Sequence, residues 1–195
     1  MTNLKNIDLL SHNTPKKNDG TAVTDPFPPL STSLPSFLDK GSDAKFRKLI
    51  YNVLTVSALM LKIRERYAAY IEVTGPQYSI LVAIAESEQV TVSQLAQQLH
   101  VSPSFITAEV GKLHKQGYVK RNRNAADRRS AVLSLSKTGK ELISRLAEYR
   151  RLGNDLTFGS FTPEQAQIFS AHMEQLVEDA QQALHALDAP RWKNE

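Results

Sequence analysis

Eight basic side chains fall between Val101 and Lys137: Lys112, Lys115, Lys120, Arg121, Arg123, Arg128, Arg129 and Lys137. Only Glu109 and Asp127 oppose them, so these 37 residues carry +6 in a chain whose total is +4. A basic segment on a near-neutral body is what a polyanion-binding surface needs, although a solvated face could carry the same charges. Hydroxyls lie close by in Ser102, Ser104 and Thr107, able to donate or accept hydrogen bonds. Other chemistry finds no residues to carry it. The histidines, His12, His100, His114, His172 and His185, show no metal-ligand spacing. There is no glycine-rich phosphate loop, no Gly-x-Ser-x-Gly elbow and no cysteine. Neither an enzyme nor a metal or cofactor site is expected.

The absence of cysteine also excludes disulfides and thiol-based redox sensing, and fits a cytoplasmic address. No run approaches the roughly 18–20 apolar residues of a membrane span. The Met1–Asn6 start lacks a basic region leading into an apolar core, so no secretory signal is expected.

The elements that would position the basic segment follow from periodicity and punctuation. Residues 1–43 hold five of the nine prolines, four Lys and five Asp, with no sustained apolar period, and read as a poorly ordered arm. From Ala44, helical spacing of Phe46, Leu49, Ile50, Val53 and Leu54 predicts a helix to about Ile71, broken at Gly75-Pro76. Pro76 suits the first turn of a second helix that buries Tyr78, Leu81, Val82 and Ala85. Thr91-Val92-Ser93-Gln94 is a capping box opening a short helix that ends near His100. Ser102-Pro103 caps the next, with Ile106, Val110 and Leu113 inward and Gly117 as its stop. This pair has the outline of a helix-turn-helix.

Tyr118–Arg123 and Ser130–Leu135 read as two strands around a polar, basic tip. Ser136 would cap a long helix to Phe158, and Thr162-Pro163-Glu164-Gln165 opens the last one. The fold class is mainly α with a small β-hairpin wing. A winged helix-turn-helix occupies 76–136, and a helical dimerisation region comprises 44–72 and 137–190. The short helix from Pro103 would turn Ser104, Phe105, Thr107, Ala108 and Lys112 outward. An α-helix fits the major groove of DNA and reads it with its N-terminal residues, while Lys112 and Lys115 suit phosphates. Arg128 and Arg129 could reach an adjacent minor groove. Asp127 would hold a neighbouring arginine and the turn, or serve turn geometry alone.

The last helix carries one stripe of Phe169, Met173, Leu176, Val177, Ala180 and Leu184. Together with Phe46 and Leu49 on the first helix, it offers more apolar face than a small helix-turn-helix core can cover. A second copy of the chain would cover it, unless it packs within one chain.

From about Lys45 to Leu187 the chain resembles the MarR family of winged helix-turn-helix regulators. The most specific stretch is Asp127-Arg128-Arg129-Ser130-Ala131-Val132-Leu133-Ser134-Leu135-Ser136-Lys137-Thr138-Gly139, similar to that family's wing signature. Leu95-Ala96, Leu99, Ser102, Leu113 and Gly117-Tyr118-Val119 also fall where the pattern expects them. The resemblance implies Asp127 and Arg129 as wing residues and a homodimer built from the first and last helices. It also implies repression at a palindromic operator in double-stranded DNA, relieved by a small aromatic or phenolic effector. The proline-rich arm lies outside the pattern, and the missing cysteine excludes its thiol-oxidation branch. Arg64, Tyr67 and Tyr70, with Tyr78, Arg150 and Arg151, are candidates for an effector cleft, since aromatic rings plus a guanidinium suit an aromatic carboxylate. The same residues could equally be surface arginines and core tyrosines. The rival reading is a winged-helix protein-interaction module without specific DNA binding.

Overall fold

The computed structural model describes residues 27–87, 89–123 and 131–188, with the side chain of Arg123 left out. The chain divides into two compact units, Met1–Thr55 and Val56–Glu195.

In the first unit, a 3-10 turn at Pro35–Phe37 precedes helix α1, Ala44–Tyr70, which begins in this unit and ends in the second. The Phe37 ring meets that of Phe46 with centroids 5.0 Å apart. Asp43 organises the approach to α1. Its fully buried carboxylate accepts the Ser31 N–H at 2.6 Å and the Ser31 hydroxyl at 2.5 Å, and pairs with Arg47. The Ser31 hydroxyl, then its N–H, holds the Asp43 carboxyl below the usual carboxylate range against the opposing effect of burial. Residues 27–43, expected to be poorly ordered, thus have a defined local structure. Its organising contact is one polar cluster, which a search for apolar periodicity does not register.

The core of the second unit forms around α2, Gly75–Ser87. Thr74 and Gln77 bond reciprocally at its start, a capping pair not anticipated from the sequence. Pro76 sits in the first turn, as expected. Gln77, Tyr78, Ile80, Leu81, Val82, Ala83 and Ile84 are all buried, whereas Ala85, expected inward, is exposed. A helix covered on nearly every side loses the amphipathic stripe from which an inward face would be read.

Around α2 lie α3 (Val92–Gln98), α4 (Pro103–Lys115) and a three-stranded antiparallel sheet. The sheet order is β1-β3-β2, with β1 at Val90–Thr91, β2 at Val119–Arg123 and β3 at Ala131–Leu135. The hairpin register pairs Val119 with Leu135 and Arg121 with Leu133. β1 was not anticipated: two residues cannot display a period, and pairing of Val90 with Leu133 is what makes them a strand. Leu95, Ile106, Val110, Leu113, Val119 and Leu133 are buried against the same core.

Helix α5, Lys137–Phe158, follows the sheet, and α6, Pro163–Leu187, ends the described chain. Both begin with the expected caps. Ser136 accepts from the Gly139 N–H, and Thr162 with Gln165 completes a capping box. No residue of α6 is buried.

Candidate nucleic-acid interface

Helix α4 is the element on which the candidate site is built. Ser102 begins it by accepting the Phe105 N–H at 3.2 Å, with Pro103 at the first helical position. Ile106, Val110 and Leu113 are fully buried, so Ser104, Phe105, Thr107, Ala108 and Lys112 emerge on the exposed side. A run with period near 3.6 leaves the exposed set no other face. Ser104 shares a hydrogen bond with Ser102, Oγ to Oγ at 3.0 Å. Thr107 donates its hydroxyl back to the Pro103 carbonyl at 2.9 Å, which leaves an acceptor oxygen and a methyl group to face a partner.

Glu109 is buried on a face the sequence reading left unassigned. Its carboxylate accepts from Gln77 of α2 at 3.2 Å and from Lys112 at 2.6 Å. A buried amide and a buried carboxylate therefore join α2 to α4, and the ion pair holds the exposed Lys112 close to its own helix. The heptad-like spacing shows Glu109 beside the inward Ile106 and Val110; only the position of α2 supplies Gln77.

Helix α4 ends in two reverse bonds, Gly117 N–H to the His114 carbonyl and Tyr118 N–H to the Leu113 carbonyl. Gly117 takes φ +79°, a left-handed conformation that L side chains resist. β2 then runs back beside the helix and is tied to it. His114 Nδ1 lies 2.8 Å from the Val119 carbonyl, an acceptor, so this nitrogen carries the proton. His114 is exposed at the surface and at the same time ties α4 to β2. Arg121 reaches from β2 to the Thr107 carbonyl at 3.4 Å, with its guanidinium beside Gly111. Arg121 is one of the basic residues that the sequence reading counted but did not place in the site.

The hydroxyl and glycine that follow the hairpin have a shared geometric cause. Ser136 donates to the Gly117 carbonyl at 2.6 Å while capping α5, and its N–H bonds the Tyr118 carbonyl at 2.9 Å. A Cβ at Gly139 would collide with that same Tyr118 carbonyl. The start of α5 is thereby pressed onto the turn that ends α4.

Arg123 lies at the end of β2. Asp127, Arg128 and Arg129 of the expected hairpin tip lie outside the described residues. Lys115 is exposed near the end of α4.

The proposed effector residues differ in burial, but Arg64, Tyr78, Tyr67 and the Arg150 backbone are linked by contacts, and Tyr70 joins them through Tyr149. Tyr67 and Tyr78 are buried with centroids 6.0 Å apart, and Tyr67 donates to the Arg150 carbonyl at 3.2 Å. Burial, with Tyr78 and Tyr149 close by, raises the pKa of the Tyr67 phenol. Gly153 lies so close that any Cβ there would meet the Tyr67 hydroxyl. Tyr70 stacks on Tyr149, and Arg151 lies on the surface near Glu148. Arg64 lines an open cleft of about 310 Å³, shared with Leu61, Glu65, Ser79, Val101 and Phe105. Its guanidinium rests 5.0 Å above the Tyr78 ring and bonds Ser79 at 3.0 Å.

Of the proposed dimer residues, Leu49, Phe169, Leu176, Val177 and Leu184 expose 43–64% of their surface, and Ala180 is also exposed. Phe46 is half-buried against Phe37. Phe169 and Met173 line an apolar cleft of about 530 Å³ with Phe158 and Phe161, at the corner between α5 and α6.

A two-helix unit closed by a glycine, a β-hairpin packed against its second helix, and a long helix leaving the hairpin form a winged helix-turn-helix. The sequence pattern of the MarR family matches residues 71–130, which contain that unit. This winged helix is similar to the MarR family. Two relatives are similar to part of the chain. The organic hydroperoxide resistance transcriptional regulator of Bacillus subtilis is 32% identical over 69 residues, 35% of this chain and 47% of that protein. The HTH-type transcriptional regulator SarZ of Staphylococcus aureus is 28% identical over 102 residues, 52% of this chain and 69% of that protein. The alignment thus spans about half the length of the first relative and about two thirds of the second.

Among solved structures, a MarR protein from Peptoclostridium difficile superposes with a TM-score of 0.62 at 21% identity, covering 77% of this chain and 97% of that one. A mutant E. coli MarR in complex with operator DNA superposes at 0.56 and 19% identity, covering 69% and 99%. These two likenesses establish the MarR fold. Among the described residues, no helix is long and apolar enough to cross a membrane.

Proposed function

We propose that the chain is a transcriptional regulator that binds double-stranded DNA as a homodimer, with α4 in the major groove and the hairpin beside it. The observation that carries this reading is the division of α4. A fully buried side of Ile106, Val110 and Leu113 backs an outward side of Ser104, Phe105, Thr107, Ala108 and Lys112. The E. coli MarR that this fold resembles was solved with operator DNA, which supports the same partner here. Thr107, its hydroxyl proton committed to Pro103, would accept from a base amino group or place its methyl against a thymine. Lys115, Arg123, Arg128 and Arg129 would contact the backbone or minor groove, with Asp127 holding the tip.

The finer reading is repression at a palindromic operator, relieved by a small aromatic carboxylate or phenol. Its support is the cleft in which Arg64 of α1 faces Phe105 of α4, because a ligand there would touch the DNA-reading helix directly. Tyr67 and Tyr78 serve this cleft only as packing beneath it. A winged helix that docks a protein partner instead would have no reason to select DNA sequence.

The test is selection of genomic DNA fragments by the purified protein at near-physiological salt, followed by sequencing. An enriched inverted repeat with half-sites about one helical turn apart is the expected outcome. Recovery of unenriched DNA, bound only through salt-sensitive contacts, would favour the protein-interaction reading.

A further inference from the structure

A second basic surface lies apart from α4. Strand alternation separates neighbouring cations on β2: Arg121 turns toward the Thr107 carbonyl, while Lys120 pairs with Ser134 on β3 and borders a different groove. That groove, about 720 Å³, runs between the sheet, the end of α2 and the start of α5. It continues into a neighbouring hollow of about 810 Å³, sharing Lys120, Leu135, Lys140 and Ser144. Lys137 and Arg145 line the second hollow. The single acid there, Glu141, lies 4.0 Å from Lys137. Among the described residues no carboxylate pairs with Lys120, Lys140 or Arg145.

Two of these lysines stand where helix electrostatics oppose them. Lys137 and Lys140 occupy the first turn of α5, which contains no acidic residue. The positive end of a helix dipole disfavours cations there and favours anions. Lys120 adds a third charge to the same hollow from the facing strand. Placement against the local field contributes nothing to fold stability and concentrates positive potential over the groove. The groove is also more than a charged surface. Ile84, Leu135 and Ile143 give it an apolar floor, and Asn122, Ser134 and Ser144 line it with polar groups. An apolar floor beneath hydrogen-bonding groups and lysines suits an organic molecule with a phosphate group better than a sugar-phosphate backbone alone.

We propose that this groove binds a small organic phosphate, held by Lys120 and Lys140 with Arg145 at its margin. Such a ligand would bridge β2 and the start of α5, and so brace the hairpin on the side away from α4. The proposal is separate from the cleft at Arg64 and survives if that effector reading fails.

Inorganic pyrophosphate and adenosine diphosphate are the probes, titrated into the full-length protein by calorimetry and by amide chemical shifts. Saturable binding is expected, with shifts at Asn122, Ser134 and Ser144 and tighter binding of the organic diphosphate. K120Q/K140Q should weaken both probes at least tenfold with an unchanged melting temperature. K112Q/K115Q on α4 should leave probe affinity within twofold. Equal losses in the two double variants, or shifts confined to α4, would overturn the proposal. So would absence of probe binding combined with a DNA salt dependence that loses about two phosphate contacts in K120Q/K140Q, which would assign the lysines to the DNA backbone.

Discussion

A single side chain decides how the chain enters α1. Asp43 collects two donors from Ser31 and the Arg47 guanidinium while fully buried. Because the folded carboxyl titrates below its ordinary value of 3.8, its contribution is present above that pH and is lost as pH falls through the depressed folded value. Protection of the Ser31 amide, taken relative to its intrinsic exchange rate, should therefore fall in acid below about pH 4, and Asp43→Asn should remove most of that pH dependence. An amide equally protected in the wild type at both pH extremes would show that the carboxylate charge is not what holds the segment. At the hairpin, Arg129→Ala should weaken operator binding by about 1–3 kcal/mol while leaving the dimer intact. Unchanged DNA affinity in that variant would remove the hairpin tip from the reading of DNA.

Among elements, the angle of α4 depends on what lies behind it. Apolar packing of Ile106, Val110 and Leu113 buries one side but is non-directional. The Gln77–Glu109 bond adds a directional constraint between α2 and α4. Glu109→Ala would strand the buried Gln77 amide and free Lys112. The expected cost is about 1–3 kcal/mol of stability, read from the denaturation midpoint, together with weaker sequence discrimination by the DNA-reading helix. Full stability with wild-type discrimination would reduce the pair to a passive contact. Much of this level was legible in advance, because caps and breakers are local signals. Thr91, Ser102, Ser136 and Thr162 all cap helices where their spacing to the next polar or glycine residue indicated. β1 and the buried face of α2 were not legible. A two-residue strand has no period, and a helix enclosed on nearly all sides has no face to distinguish.

For the whole molecule, α6 is the element left to explain. Twenty-five residues form a helix without one buried side chain, although Leu176, Val177 and Leu184 repeat on one side. A helix of that length gains most of its stability from a packed apolar face, so a second copy of the chain is the proposed cover. Truncation before Met173 should give monomeric or aggregated protein with poor DNA binding, as seen by sedimentation and light scattering. A soluble dimer after truncation would refute the assignment of this interface.

The amino-acid sequence alone determined the winged helix: its helices and hairpin strands, the outward face of α4, and the basic segment around it. Those features arise from residues within a turn or two of each other, where spacing and capping act directly. Only the tertiary structure decided which side chains meet across elements. It brought Gln77 to Glu109, His114 to the Val119 carbonyl and Arg121 to Thr107, and it packed Arg64 and Tyr67 against Tyr78 while leaving Tyr70 exposed. Contacts between distant segments depend on how helices and strands are stacked, and no local period in the chain records that stacking.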